Sequence, residues 1–224
     1  EFVRIERKLD HLSVKYEERG SEIEPGLSQS IAFKLPSGIE LELVKVDDSD
    51  YYRPTKEKSK IEKLDPLIPD IDHGGLYSVS VQKDAEFLRD VIGMRISEVR
   101  IGDDGMWKMA FVRLGSNHHD LAIFYNDKYR MSHYAWNLEN IEGMVRAIDR
   151  LARNRIELEI VPYRHYIGSN ISCYFRGPDN LRIEYCTEMA TLNDNVPTSF
   201  WTEHRPAHSA WGGIKVDPSF WVGI

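Results

Sequence analysis

The chain has 224 residues, 42% of them hydrophobic and 29% charged, the make-up of an ordinary globular protein rather than a disordered or fibrous one. Its net charge of −7 is spread, with Lys and Arg scattered among Asp and Glu, which leaves no electrostatic footprint for nucleic acid or an anionic membrane. With no run of about 18 apolar residues and no charged-then-apolar leader, the sequence predicts neither a membrane span nor a signal peptide, and a cytoplasmic setting.

From the N-terminus, the first segment repeats a later one. VRIERKLDHLSVKYE from Val3 aligns with VRAIDRLARNRIELE from Val145, and PSGIELEL from Pro36 with PDNLRIEY from Pro178, both at an offset of 142 residues without a gap. Self-similarity at a fixed offset marks a duplicated structural unit. Residues 1–46 are therefore expected to be the truncated remainder of an N-terminal domain. Because residue 1 matches Gly143 in mid-helix, the chain reads as a fragment whose apolar face (Leu9, Val14, Ile31, Phe33) lacks the unit it should pack on. A linker rich in Lys, Asp and Pro covers about 47–70.

A second repeat fills residues 71–190. His73, in IDHGGLYSVSV, opens a strand; Asp84 is placed to cap a helix that carries Ala85, Phe87, Leu88 and Val91 and stops at Gly93. Three strands follow near 98–101, 108–114 and 120–125. His133, in MSHYAWNL, opens the next unit 60 residues later, with Ile141, Met144, Val145, Ile148 and Leu151 on one helical face and strands near 155–160, 171–175 and 182–186. The pattern is βαβββ twice, an α+β architecture with units 71–130 and 131–190. Residues 191–224, with Trp201, Trp211, Trp221, His204 and His208, are expected as a C-terminal extension or lid. Cys173 and Cys186 read as reduced core residues.

His73, His133 and Glu184 (in LRIEYCTEM) each lie in a short alternating run, and two imidazoles with one carboxylate are the facial ligand set of non-haem iron(II) oxygenases. A lone histidine at a strand start is more often a solvated or capped residue than a ligand. The matching places of His73 and His133 in repeated units argue for ligands here. Glu42 is the repeat counterpart of Glu184 but has no such histidine partners, so it reads as structural. His11, His204 and His208 fit no pattern and read as surface or loop residues.

With these residues laid out, the region from about 70 to 190 resembles the type I extradiol catechol dioxygenases of the vicinal oxygen chelate superfamily; the N-terminal residues resemble them weakly. The resemblance implies curved mixed sheets of βαβββ units forming a metal-holding funnel, the glyoxalase-like fold. It implies His73, His133 and Glu184 as ligands of Fe(II), with Mn(II) acceptable, and Ser132 in place of the first of two adjacent histidines. His119, in NHHDLAIF, matches the catalytic histidine; Asp120 after it selects it over His118, on the expectation that strand alternation turns only one inward. His165 after Arg164, and Tyr174 ten residues before Glu184, match groups that hydrogen-bond and deprotonate the catechol hydroxyls. Phe111 matches a position that stacks on the substrate ring, with plain core packing equally open. The implied activity is opening of a catechol-type ring beside its hydroxyls by dioxygen, in a homo-oligomer that by family analogy is a tetramer. The alternatives are a hydroquinone-type dioxygenase, a glyoxalase-like isomerase, or a non-catalytic binding protein of the same fold.

Overall fold

The computed structural model describes residues 1–20, 27–46, 70–202 and 209–213. The N-terminal residues form α1 (Phe2–His11), β1 (Tyr16–Gly20), β2 (Leu27–Lys34) and β3 (Glu40–Val46), the strands making their own antiparallel sheet in that order. The first repeated unit comprises β4 (Asp70–Ser78), α2 (Val81–Phe87), β5 (Arg95–Ile101), β6 (Trp107–Arg113) and β7 (Leu121–Tyr125). The second comprises β8 (Arg130–Asn137), α3 (Ile141–Arg153), β9 (Leu158–Arg164), β10 (Ile171–Arg176) and β11 (Arg182–Thr187); β12 (Ser199–Thr202) follows. An offset of 142 residues lays α1, β1, β2 and β3 over α3, β9, β10 and β11, so the internal repeat holds element by element.

Both units belong to one mixed sheet with the order β12-β5-β6-β7-β4-β8-β11-β10-β9. The opening strands β4 and β8 pair antiparallel at its centre, and each has the closing strand of its own unit, β7 or β11, parallel on its other side. Side chains alternate between two faces. On β6 and β7, Ala110, Val112 and Ile123 point to a core with Val81 and Ala85 of α2 and Leu88 just after it, whereas Met109, Phe111 and Ala122 cluster separately with Ile167. On β10, Ile171, Cys173 and Phe175 pack against Met144, Ala147 and Leu151 of α3, while Tyr174 takes the other parity. The helices therefore cover one face and leave the opposite face to build a cavity. The sheet curls enough to bring its edges together: Trp201 of β12 meets Tyr166, just after β9, with ring centroids 5.2 Å apart. Backbone bonds from His118 N–H to Ala190 and from Ala190 N–H to Gly168 lace the same side.

Several expectations are corrected. The N-terminal apolar face is not bare: Leu9, Ile31 and Phe33 are buried against Val91, with Phe87 beside them, and Val14 is partly covered. Asp84 does not cap its helix, which starts three residues earlier at Val81. It is instead fully buried, accepting from the Ser78 hydroxyl at 2.6 Å and from Ser37 N–H at 2.9 Å, and so ties the turn before β3 to the larger sheet. The helix ends through a π turn at Gly93, whose φ of +94° is the left-handed value that favours glycine. Val145 and Ile141 are exposed, and Ala147 takes their place on the buried face of α3. His73 and His133 stand inside β4 and β8 rather than at their starts.

Asp70 already belongs to β4, and the rest of the expected linker lies outside the described residues, as do His204, His208 and Trp221. No helix among the described residues is long and apolar enough to cross a membrane. Cys173 and Cys186 are both buried free thiols, with burial pushing the Cys173 thiol up to about 12.

Candidate metal centre

Strand register explains how three side chains distant in sequence converge. His73 of β4 and Glu184 of β11 each lie opposite Ala135 of the intervening β8, and His133 precedes Ala135 by two residues, so all three share one face. The methyl group of Ala135, fully buried, leaves the space between them open. His73 Nε2 and His133 Nε2 are 3.3 Å apart, and Glu184 Oε2 lies 3.4 Å and 3.1 Å from them. Bonds of about 2.1 Å to one ion put ligand atoms about 3.0 Å apart at right angles and about 3.4 Å apart at tetrahedral angles. The observed triangle fits a single first-row cation.

Two further observations support that fit. Glu184 Oε2 is buried with both imidazoles near it yet makes no well-formed hydrogen bond, the kind of orphaned atom that calls for a partner. Each histidine is also oriented from behind. His73 Nδ1 donates to Asp72 Oδ1 at 2.7 Å and His133 Nδ1 meets Ser132 Oγ at 3.1 Å, which directs both Nε2 atoms into the cavity. Asp72, His73 and Cys186 form a second group of potential donors, but His73 Nδ1 is already committed to Asp72. Burial, then Glu184 and Asp72, also hold the Cys186 thiol well above its ordinary range, away from the thiolate.

The charges of the three residues also act on one another. Burial opposes protonation of His73, but the Glu184 carboxylate and Asp72 outweigh it and lift the imidazole to about 9. Burial likewise pushes Glu184 up, and the neighbouring His73 and His133 reverse this, holding the carboxyl well below its usual range. Burial keeps His133 low.

Gly75 faces His133 across the β4–β8 ladder, and a Cβ there would sit 2.2 Å from His133 Cε1. At Gly74 the added carbon would meet only Leu121 and Met131, at 3.4 Å. Gly75→Ala is therefore expected to displace the His133 ring, weaken metal binding at least about tenfold and destabilise the fold by about 1–3 kcal/mol, while Gly74→Ala leaves metal affinity unchanged. Titration of both variants with a divalent cation checks this; equal affinities would show that the tight approach does not position His133.

The remaining predicted residues surround the triad. His119 packs against His73 with centroids 4.3 Å apart and the rings tilted by 58°, and burial, then His73 and His118, keep its imidazole well below the ordinary value and thus neutral. Tyr174 pairs directly with Glu184 across β10–β11, and its hydroxyl lies 3.2 Å from His165 Nε2 near the mouth. Burial, then Glu184 and Tyr163, hold the Tyr174 phenol well above its usual range, which favours its protonated form. Phe111 lines the cavity and sets its edge against His119, at 5.1 Å between centroids.

Of His118 and His119 only His119 lines the cavity, as expected, but not for the reason given. Both are buried, because they stand in the loop before β7 where strand alternation does not apply. Glu42 is bound on the surface by Arg19 at 3.1 Å, with the Ser30 hydroxyl beside it. His11 is exposed. Sequence reasoning missed Met109, Phe124, Ile167 and Asn170, which also line the cavity. Alternation with Phe111 and Ala122 points to the first two. Asn170 sits in the GSN turn, with nothing in the sequence to say that its amide reaches Glu184 Oε1 at 3.4 Å.

Fold and site together define a protein of paired βαβββ units with a two-histidine, one-carboxylate cavity. Residues 70–185, half of the chain, match the Glyoxalase/Bleomycin resistance protein/Dioxygenase superfamily, and the chain belongs to it. It is 26% identical over 187 residues to a metapyrocatechase of Pseudomonas sp. (strain CF600), covering 78% of this chain and 59% of that protein. It is 26% identical over 209 residues to a manganese-dependent 2,3-dihydroxybiphenyl 1,2-dioxygenase of Geobacillus genomosp. 3, covering 87% of this chain and 66% of the relative. The chain thus spans less than two thirds of these relatives. The crystal structure of homoprotocatechuate 2,3-dioxygenase from Arthrobacter globiformis shares the fold with a TM-score of 0.82 at 23% identity, over 96% of this chain and 67% of that one.

Proposed function

We propose that the protein is an extradiol dioxygenase that opens a catechol-type ring beside its hydroxyls, with His73, His133 and Glu184 holding Fe(II) and with Mn(II) acceptable on the same nitrogen and oxygen donors. The observation that carries this reading is the buried triangle of Nε2, Nε2 and Oε2 atoms facing a cavity that also holds a neutral imidazole and a phenol. When bound, such an ion supplies Lewis acidity toward the catechol oxygens and redox access to dioxygen.

The chain's own residues do the rest. Phe111, Phe124 and Met109 give the apolar walls that take a flat ring and keep bulk water out. Beside the triad the Tyr174 hydroxyl and His165 Nε2, 3.2 Å apart, are the polar groups that a catechol hydroxyl can bond to, which would fix its orientation. His119, neutral and buried against His73, is the group able to take a hydroxyl proton and return it to an oxygen later in the reaction. Both atoms of dioxygen enter the product, a hydroxymuconic-semialdehyde type compound, and no other reductant is required. The names of the two relatives, one a metapyrocatechase and the other manganese-dependent, support both the substrate class and the metal. We further propose a cytoplasmic setting and a homo-oligomer, a tetramer by family analogy.

The test is anaerobic loading with Fe(II), addition of a panel of catechols, then admission of oxygen. The expected result is one dioxygen consumed per catechol and a product heavier by one dioxygen with the ring opened beside the hydroxyls. No uptake with any catechol, or opening between the hydroxyls, would sink the reading. A glyoxalase-like isomerase or a simple binding protein would bind ligand without consuming oxygen.

A further inference from the structure

His118 is buried beside His119, and its ring nitrogens have an arrangement that the reaction above does not use. Its Nδ1 lies 3.0 Å from His119 Nδ1, and its Nε2, which makes no hydrogen bond of full geometry, faces Glu98 Oε1 at 3.5 Å. Glu98 sits on β5 with a side chain only 17% exposed, and its Oε2 is buried without a partner. The pair is held in place on all sides. The backbone N–H of His118 is bonded to Ala190 at 2.8 Å, and Phe111 packs on both rings. Gly168, with φ of +76°, approaches so closely that a Cβ added there would lie 3.2 Å from His118 Nδ1.

Two imidazole nitrogens 3.0 Å apart must divide their roles: one carries the proton and the other accepts it. Nothing within the pair decides which. The far end does, because a carboxylate only accepts. Glu98 therefore selects the His118 tautomer with hydrogen on Nε2. In a neutral imidazole this leaves Nδ1 bare, so His119 must donate from its own Nδ1, and His119 Nε2 is left with a lone pair.

We infer that Glu98 and His118 are positioning residues that fix the tautomer of His119, so that a bare Nε2 rather than an N–H is presented to the substrate. This rests on the reading of His119 as the acid–base group. It gives that reading its physical basis, because the nitrogen left free is the unprotonated one that a group taking a proton needs.

The test reads tautomers directly by nitrogen-15 NMR of the histidine rings, in protein loaded with diamagnetic Zn(II). The expected wild-type spectrum has His119 protonated at Nδ1 only and His118 at Nε2 only. Hydrogen on His119 Nε2, or on both nitrogens of His118, overturns the inference. Glu98→Met removes the acceptor and is expected to mix the His119 tautomers and lower kcat of the iron enzyme at least about tenfold with KM unchanged. Glu98→Gln keeps an oxygen able to accept the same N–H and is expected to restore both. An unaltered His119 tautomer and kcat in Glu98→Met would equally overturn it. If that variant fails to fold, the wild-type spectrum still decides. A wild-type enzyme inert toward every catechol would instead count against the dioxygenase reading, and the tautomer spectrum stands apart from it.

Discussion

Glu184→Gln is expected to bind Fe(II) at least about a hundredfold more weakly than the parent chain and to lose ring-cleaving activity, whereas Glu42→Gln keeps both. The size follows from what is removed. Changes to groups that merely orient a metal ligand cost about 10–100-fold in affinity, and here one of three ligands loses its charge. Glu184 is 1% exposed with two imidazole nitrogens within 3.4 Å of one oxygen, so an amide placed there brings a weaker donor into the same position. Glu42 is its repeat counterpart, but its oxygens meet Arg19 and Ser30 on the smaller sheet. Losing such a partly exposed pair costs no more than about 1 kcal/mol of stability. Metal titration of both variants, with circular dichroism to confirm folding, separates them. Retention of iron by Glu184→Gln together with its loss from Glu42→Gln would place the metal in the wrong half of the repeat.

His119→Phe should separate chemistry from binding. The ring at this position contacts His73 and Phe111 but is not part of the ligand triangle, so Fe(II) and catechol should bind with nearly unchanged affinity. Turnover should fall by about 10²–10⁴, the usual contribution of a placed acid–base group. Some loss of stability accompanies it, because His118 Nδ1 is left buried without its partner, at about 1–3 kcal/mol. Anaerobic optical titration with a catechol, followed by oxygen-uptake kinetics on the same sample, checks both halves. Unchanged kcat would remove His119 from the reaction; loss of catechol binding would make it a binding residue instead.

Much of this was legible in the sequence because duplicated units repeat their periodicity. The 142-residue offset carries helix into helix and strand into strand, and the 60-residue spacing of His73 and His133 put both on the central strands of the sheet. Tyr174 and Glu184, ten residues apart across a turn, do share a face, as cross-strand partners. What local pattern could not supply was pairing at a distance. Nothing in the run HGG says that the second glycine lies under the His133 ring, since that depends on the β4–β8 register. Asp84 has the right residue type for a helix cap, but its buried bonds to Ser37 and Ser78 won because they come from segments the local sequence does not contain. Val145 fits the apolar stripe of α3 and is nonetheless exposed, because alanine and methionine at neighbouring positions already fill the contact with β10 and β11. His118 was set aside by an alternation rule that holds for strands and not for the loop in which it sits.

The central claim is that one divalent ion is held by His73, His133 and Glu184 together. Anomalous X-ray diffraction at the iron edge, from crystals loaded with Fe(II) without oxygen, tests it most directly. The expected map has a single strong peak in bonding contact with both Nε2 atoms and a Glu184 oxygen. No peak there, or iron held by Asp72, His73 and Cys186 instead, would contradict the account.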